Sequence, residues 1–158
     1  MVSVGVSSPG RTSILFTLLN QTELNINGQY YRDVLLMEDL LPEIREFSEF
    51  YIFQQDGAPA HRARETVALM TNETSDLIIP TLWPPNSPDL NPVDYKIWGF
   101  MQEMVHKTKV RDVEDLRKRI MQAWNDLDQR IIDSAVREWR KRLRACVEAE
   151  GGQFEYKL

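Results

Sequence analysis

Tyr51-Ile52-Phe53-Gln54-Gln55-Asp56-Gly57-Ala58-Pro59-Ala60-His61 and, further on, Trp83-Pro84-Pro85-Asn86-Ser87-Pro88-Asp89-Leu90-Asn91-Pro92-Val93-Asp94-Tyr95 decide how this chain is read. Tyr51 to Phe53 is too short for a helix and is made of strand formers, so it predicts a short strand. The strand stops at Asp56, and Gly57 and Pro59 predict a turn. The second stretch holds Pro84, Pro85, Pro88 and Pro92, none able to donate a backbone hydrogen bond, which predicts a stiff loop. An amphipathic helix follows from about Pro92 to His106, with Asp94 in its first turn. Each stretch therefore sets a carboxylate where regular structure meets loop. Two carboxylates on a strand end and a helix start can face one another and hold a divalent cation. Taken singly each has a plainer reading, Asp56 as a turn former and Asp94 as an acid favoured by the helix dipole.

Working outward, Leu77-Ile78-Ile79 within Asp76 to Pro80 predicts a short buried strand, and a helix is predicted from about Ala63 to Thr71. Upstream, Val2, Val4 and Val6 alternate with Ser3 and Gly5 as in a strand. Ser8-Pro9-Gly10-Arg11 predicts a turn and Ser13 to Leu19 a second strand, so the two form a hairpin. Asn25 to Gly28 predicts another turn. A helix then starts near Gln29, carrying Tyr30, Tyr31, Val34, Leu35, Leu41 and Ile44, with Pro42 expected to bend or break it. The last third reads as helical. Asp112 is a candidate N-cap with Asp115 three residues on. Val113, Leu116, Ile120, Trp124 and Leu127 recur at helical spacing. A further helix from near Gln129 carries Ile132, Val136, Trp139 and Leu143 on one face and is expected to end at Gly151-Gly152.

Composition bounds the function classes. At 158 residues one domain is expected, and 42% hydrophobic content suffices for a core. The net charge of −5 is the wrong sign for a protein held to nucleic acid by overall charge, so any such contact must use a local basic patch. Arg137, Arg140, Lys141, Arg142 and Arg144 form that patch, with a solvated helix face as the plainer reading. Cys146, the single cysteine, excludes an internal disulfide and a thiolate metal cluster, and a reducing compartment, cytosol or nucleus, is expected. No run of eighteen apolar residues predicts a membrane span, and no signal peptide is read. Trp83, Trp98, Trp124 and Trp139 are read as core rather than as base-stacking platforms. His61 is read as a brace for its loop, and Asp89 as a turn residue after Pro88.

The two opening stretches closely resemble the second and third catalytic blocks of mariner-superfamily DNA transposases, the DDE/D type. Gln54 to His61 matches the second block and Trp83 to Tyr95 the third. Asp56 and Asp94 stand 38 positions apart, a spacing within the range of the mariner-type branch, which also carries Asp as its third acid. The resemblance extends more weakly over Met1 to Phe154. It implies an α/β fold, a ribonuclease-H-like five-stranded mixed sheet with helices on both faces. Residues 1–106 would form the sheet and flanking helices and residues 107–150 a C-terminal helical pair.

The resemblance further implies two-metal phosphoryl transfer with Mg2+ or Mn2+, two ions about 3.5–4 Å apart, and so metal-dependent DNA cleavage and transfer. Asp56 and Asp94 are the catalytic and metal-ligand candidates. DNA is the implied partner, the nucleus the implied place of action, and a homo-oligomer stays open. In the family a first, bridging acid lies on a central strand upstream of the hairpin. Here Glu23, Asp33, Glu38, Asp39, Glu43, Glu46 and Glu49 precede Asp56, and none lies in a strand-like run before the hairpin. The expectation is a catalytic domain truncated at its N-terminus, without the first strand and first Asp, inactive alone and with metal retention in doubt. Two alternatives stay open: a domesticated non-catalytic nucleic-acid-binding or protein-interaction module, and a nuclease that recruits its missing acid from another chain.

Overall fold

The computed structural model describes residues 2–16, 27–150 and 152–158. The chain divides into two compact units, residues 1–5 with 9–87 and residues 6–8 with 88–158. In the first unit β1 (Val2–Ser3) pairs antiparallel with β2 (Leu15–Phe16), Val2 opposite Phe16 and Ser3 opposite Leu15. This is the expected hairpin, in a shorter form. Thr12 N–H donates to the Gly5 carbonyl at 3.0 Å, and Gly5 N–H donates to Thr12 Oγ1 at 2.8 Å, so a side chain closes the hairpin as well as the backbone. The end of the expected second strand and the first half of the expected Asn25–Gly28 turn lie outside the described residues.

A long helix, α1, follows in three stretches: Gly28–Tyr30, a π-wound Tyr31–Leu40, and Leu41–Phe47. Asn27 caps it, its Oδ1 accepting from Tyr30 N–H at 2.9 Å. The wide winding follows from the apolar spacing. Tyr31, Leu36 and Leu41, and Leu35 and Leu40, recur every five residues, and all five are buried. Hydrogen bonds from residue i to i−5, such as Leu41 N–H to the Leu36 carbonyl, bring that period onto one stripe. Pro42 was expected to bend or break this helix, but the helix runs through it. Pro42 falls where the π winding gives way to the final α-wound stretch, so the missing N–H coincides with a change of winding. The stripe packs with Met70, Ile44, Phe53, Leu69 and Leu77 into the core of this unit.

β3 (Ile52–Phe53) and β4 (Asp76–Leu77) pair in parallel, Ile52 opposite Asp76 and Phe53 opposite Leu77, and Ile78 N–H adds a bond to the Phe53 carbonyl at 3.0 Å. Parallel strands need a crossover, and α2 (Arg64–Glu73) supplies it, turning Thr66 and Met70 inward. Among the described residues the β1–β2 and β3–β4 ladders stay separate, so the single five-stranded sheet implied by the resemblance is not assembled from these segments. β3 is sparingly covered: Ile52 is 64% exposed, and the buried Tyr51 hydroxyl and Gln54 amide nitrogen find no partner among the described residues.

The second unit is helical. A 3-10 turn at Pro88–Leu90 leads into α3, a π-wound Val93–Ile97 continued by Trp98–Val105. α4 (Val113–Asn125) and α5 (Gln129–Glu148) follow. Ile97, Met101 and Val105 recur every four residues and are buried, as are Trp124, Leu127, Ile132 and Ala135. α3 packs against α4, and the π-wound start of α3 packs against α5. Asp112 caps α4 as expected, accepting from Asp115 N–H at 2.8 Å. Two expectations change. Val113 is 76% exposed and lies outside the core stripe, because as the first helical residue it precedes the face that α3 covers. α5 ends at Ala149, with Glu150 rather than a glycine in the left-handed conformation, at φ 50°.

Candidate functional site

Asp56 belongs to the first unit and Asp94 to the second, and each is set by the chemistry of its own unit. At Asp56 the chain leaves β3 and turns. Gly57 was expected to force that turn. Its backbone stays outside the left-handed region, however, and an added Cβ would meet nothing within 4 Å. The expected turn forms with Pro59 at its second position, between the Ala58 carbonyl and His61 N–H, and the carboxylate leads into it: Asp56 Oδ1 accepts from Ala58 N–H at 3.0 Å, an Asx turn. The Ala58 carbonyl then accepts from His61 N–H at 2.9 Å and Arg62 N–H at 3.1 Å.

His61 returns to its own loop, as read from the sequence. Its Nδ1 lies 2.5 Å from Asp56 Oδ1. Its ring packs on the Tyr31 ring with centroids 4.3 Å apart and planes tilted by 33°. Gln55 is buried beneath: its Oε1 accepts from the Tyr31 hydroxyl at 2.7 Å, and its Nε2 donates to the His61 carbonyl at 3.2 Å. Burial, and secondarily the Asp56 charge, push the Tyr31 hydroxyl well above the usual tyrosine range. Asp56 itself is exposed at the surface. Both of its hydrogen bonds fall on Oδ1, which leaves Oδ2 for a hard cation.

Asp94 sits in the π-wound start of α3. Ser87 Oγ donates to the Pro84 carbonyl at 2.6 Å, and Asn86 adopts φ 52°, a conformation asparagine tolerates better than most residues. Asn91 Oδ1 accepts from Val93 N–H at 3.2 Å, and its carbonyl accepts from Asp94 N–H at 2.9 Å and Tyr95 N–H at 3.0 Å. The next two side chains reach α5. The Tyr95 hydroxyl donates to the Ala135 carbonyl at 2.6 Å, and Lys96 Nζ donates to Ser134 Oγ and Glu138 Oε2, each at 3.1 Å.

Arg142 completes this arrangement. It is only 9% exposed. Its Nε donates to Glu138 Oε1 at 3.2 Å, its Nη1 donates to the Asp89 carbonyl at 3.0 Å, and its guanidinium lies 4.0 Å above the Tyr95 ring. Burial raises the Tyr95 hydroxyl to about 12, with Arg142 acting against that shift. Burial also pushes Glu138 upward, but Lys96 and Arg142 outweigh it and hold the carboxyl below the usual range. Arg142 is thus withdrawn from the surface patch predicted from the sequence. The reason is that it lies on the inner face of α5, where its charge is paired. Arg137, Arg140, Lys141 and Arg144 are exposed, and their spacing of three, four and seven residues puts them on one stripe of α5. Lys141 Nζ also donates to the Leu158 carbonyl oxygen at 2.7 Å.

The sequence reading missed Tyr31 and Gln55 beneath Asp56, and Lys96, Glu138 and Arg142 around Asp94. Only the last pair carried a signal, since Glu138 and Arg142 stand four apart on one helix. Of the four tryptophans read as core, Trp83 and Trp124 are buried and Trp98 and Trp139 half-buried, and Asp89 lies in the turn at Pro88–Leu90. Among the described residues no group of three or more His, Cys, Asp or Glu side chains could hold a metal ion. Among them, too, no helix is long and apolar enough to cross a membrane.

Comparison with known proteins follows this geometry closely. Residues 21–117, over half of the chain and including both Asp56 and Asp94, match the model of the DDE superfamily endonuclease family. The Tc3 transposase of Caenorhabditis elegans is 29% identical over 134 residues, 83% of this chain but 39% of that protein. The chain thus spans about two-fifths of that relative's length. Among solved structures, the Mos1 transposase catalytic domain with raltegravir and Mn superposes with a TM-score of 0.74 at 21% identity, over 98% of this chain and 76% of that one. The Mos1 strand transfer complex gives 0.79 at 21% identity, over 98% of this chain and 43% of that one. At such identity these structures speak to the fold, which is that of a mariner transposase catalytic domain.

Proposed function

The chain belongs to the DDE superfamily endonucleases, and from that premise we propose that it descends from, and retains part of, the machinery of metal-dependent DNA strand cleavage and transfer. The observation that carries this reading is that both candidate carboxylates, in their full sequence blocks, lie inside the matched residues 21–117. Asp56 and Asp94 are proposed as catalytic residues and as ligands of Mg2+ or Mn2+. Carboxylate oxygens suit these hard cations, and Asp56 keeps one oxygen clear of its loop. When bound, such ions would activate an attacking oxygen and neutralise charge on the leaving one. The protein's own part is to hold the two acids, Asp56 by its Asx turn and His61, Asp94 by the wide turn of α3. With two acids and no threefold cluster among the described residues, we expect weak metal holding and no strand transfer by these 158 residues alone.

DNA is the proposed partner, and the nucleus the proposed place of action. Arg137, Arg140, Lys141 and Arg144 offer phosphates a single exposed stripe on a chain that is acidic overall. That stripe also favours the second reading, a non-catalytic nucleic-acid-binding module. Binding through all four side chains would give a log–log salt slope of about −3.6 on duplex DNA and little sequence preference.

One experiment tests the catalytic reading: Mn2+ titration and supercoiled-plasmid nicking by the parent chain and by an Asp56→Ala, Asp94→Ala double variant. Weak Mn2+ binding that the double variant loses, without nicking, is the expected result. Equal Mn2+ binding by both would remove the two carboxylates from the metal site. Nicking by the parent that the double variant loses would keep the site and overturn the expected inactivity.

A further inference from the structure

Helix α5 does more for the second unit than close its core. Tyr95 and Lys96 directly follow Asp94, and successive side chains of a wide turn leave its axis in different directions. Both reach the same partner helix, Tyr95 through its hydroxyl to the Ala135 carbonyl and Lys96 to Ser134 and Glu138. A turn tied through two successive side chains to one helix is hindered from rolling about its axis, and the backbone at Asp94 is held with it. Glu138 is divided between two tasks, Oε2 to Lys96 and Oε1 to Arg142. Arg142 covers the Tyr95 ring and also ties down the Asp89 carbonyl, in the turn that delivers the chain into α3. Three points of the segment 89–96 thus converge on one ion pair, of which Arg142 is buried and Glu138 half-buried.

The winding of α3 is a second, separate observation. It is π-wound from Val93 to Ile97, with Trp98 N–H bonded to the Val93 carbonyl, and only then becomes an α-helix. Wide turns of this kind are rare and gather at functional positions. This one coincides with Asp94 and with the residues that α5 holds.

We propose that Glu138 and Arg142 are positioning residues for the Asp94 carboxylate, acting through Lys96, Tyr95 and the Asp89 carbonyl. The proposal rests on the reading of Asp94 as a site acid. It also assigns Arg142, a member of the basic run, to the site rather than to the phosphate-facing stripe. Glu138 balances Lys96 and Arg142 at once, so removing its charge alone should loosen both tethers without changing the side chain's shape.

The test uses the full chain with its aspartate carboxyl carbons observed by NMR, as parent, Glu138→Gln, Lys96→Met and Arg142→Gln. The expected result is that the Asp94 carboxyl resonance moves or broadens while those of Asp112 and Asp126 stay in place. Amides of Tyr95 to Trp98 should exchange about 10-fold faster or more, with the amides of α4 unchanged. Glu138→Gln and Lys96→Met should not add in the double variant, because they cut the same tether. An Asp94 resonance unmoved in Glu138→Gln, at the parent's thermal midpoint, would overturn the proposal. So would a disturbance spread evenly over the unit. Should Arg142→Gln fail to fold, Glu138→Gln and Lys96→Met still decide. Mn2+ added to the same parent sample separates the two readings. Selective loss of the Asp94 signal supports its role as ligand. Absence of that loss overturns the ligand reading alone, and the carboxyl comparison still judges the positioning.

Discussion

Both groups that hydrogen-bond the Asp56 carboxylate lie within five residues of it, whereas the turn around Asp94 is held by nearby Asn91 and also by contacts to α5 that span 38 to 53 residues of chain. The first acid is placed by loop chemistry, an Asx turn and a histidine brace, on a strand only two residues long. The second is placed by a helix that must fold and dock before its turn is fixed. The difference matters for how each proposed ligand responds to change elsewhere in its own unit. Local placement tolerates distant change, while remote placement ties a candidate ligand to the stability of a whole helix pair. It also explains why the same basic run divides in two. Arg142, on the inner face of α5, grips the turn, while Arg137, Arg140, Lys141 and Arg144, one, two or five positions away and so on other faces, stay in solvent.

Remote placement predicts that the largest losses come from the core beneath α5. Ile132 is fully buried. Ile132→Ala should lower the unfolding free energy by about 2–5 kcal/mol, read from urea denaturation, with amides of Tyr95 to Trp98 losing protection along with α5. Protection of that turn surviving while α5 loosens would break the claim that the turn depends on the helix.

A smaller loss is expected at the Asp56 loop, where a single buried hydrogen bond supports the brace. Tyr31→Phe keeps the ring that packs on His61 but leaves the Gln55 oxygen without its donor. The cost should be about 1–3 kcal/mol. If the loop is held locally, the short Asp56–His61 contact should survive, seen as an unchanged His61 Nδ1 resonance. A moved resonance would show that Asp56, too, is set from a distance.

The same distinction governs what the sequence made legible. Features decided within a few residues were readable: the hairpin, the Asp112 cap, the β3–α2–β4 order and the bracing role of His61. The winding of α1 was not, because its apolar residues recur every five positions and read as noise on a 3.6-residue template. The turn after Asp56 was readable from Pro59, which takes its second position, but the Asx bond of Asp56 was not, and Gly57 needs no left-handed backbone there. Of the Lys96–Glu138–Arg142 network only the four-residue spacing of Glu138 and Arg142 was visible, since nothing in a single sequence says which face of α5 meets α3. The two blocks themselves were legible because a motif carries chemistry in its residue order, whatever the packing around it.

Alkaline titration gives a smaller effect on the remote side. The Tyr95 hydroxyl is raised from 10.0 to about 12, first by burial. A raised tyrosine value means the folded state holds its proton more tightly. That stability is therefore fully present below 10.0 and is lost as pH rises through about 12. Tyr95→Phe should flatten the fall in stability over that window, measured by urea unfolding at stepped pH. A fall of the same steepness in the variant would show that the Tyr95 hydroxyl is not held by α5 as described.

The smallest effect is expected at Asp115, which shares a unit with Asp94 but is held as Asp56 is, by near neighbours. Arg111 N–H donates to its Oδ2 at 3.0 Å and Arg119 Nε to its Oδ1 at 3.1 Å, each four residues away. The Arg111 backbone bond, and next the Arg119 side chain, lower its carboxyl from 3.8 to about 2. A depressed carboxyl contributes stability above its unfolded value, and that contribution is lost as pH falls through the folded one. Asp115→Asn keeps an oxygen acceptor for Arg111 and leaves the Asp112 cap untouched, so it removes the charge with little change of shape. The parent should therefore exceed the variant in stability above pH 3.8, and the gap should close as pH falls through about 2. A gap that persists in acid would mean that geometry rather than charge holds this corner. A gap that closes would show that local placement of an acid works the same way in both units, so that the remote grip on the Asp94 turn belongs to that turn and not to the unit as a whole.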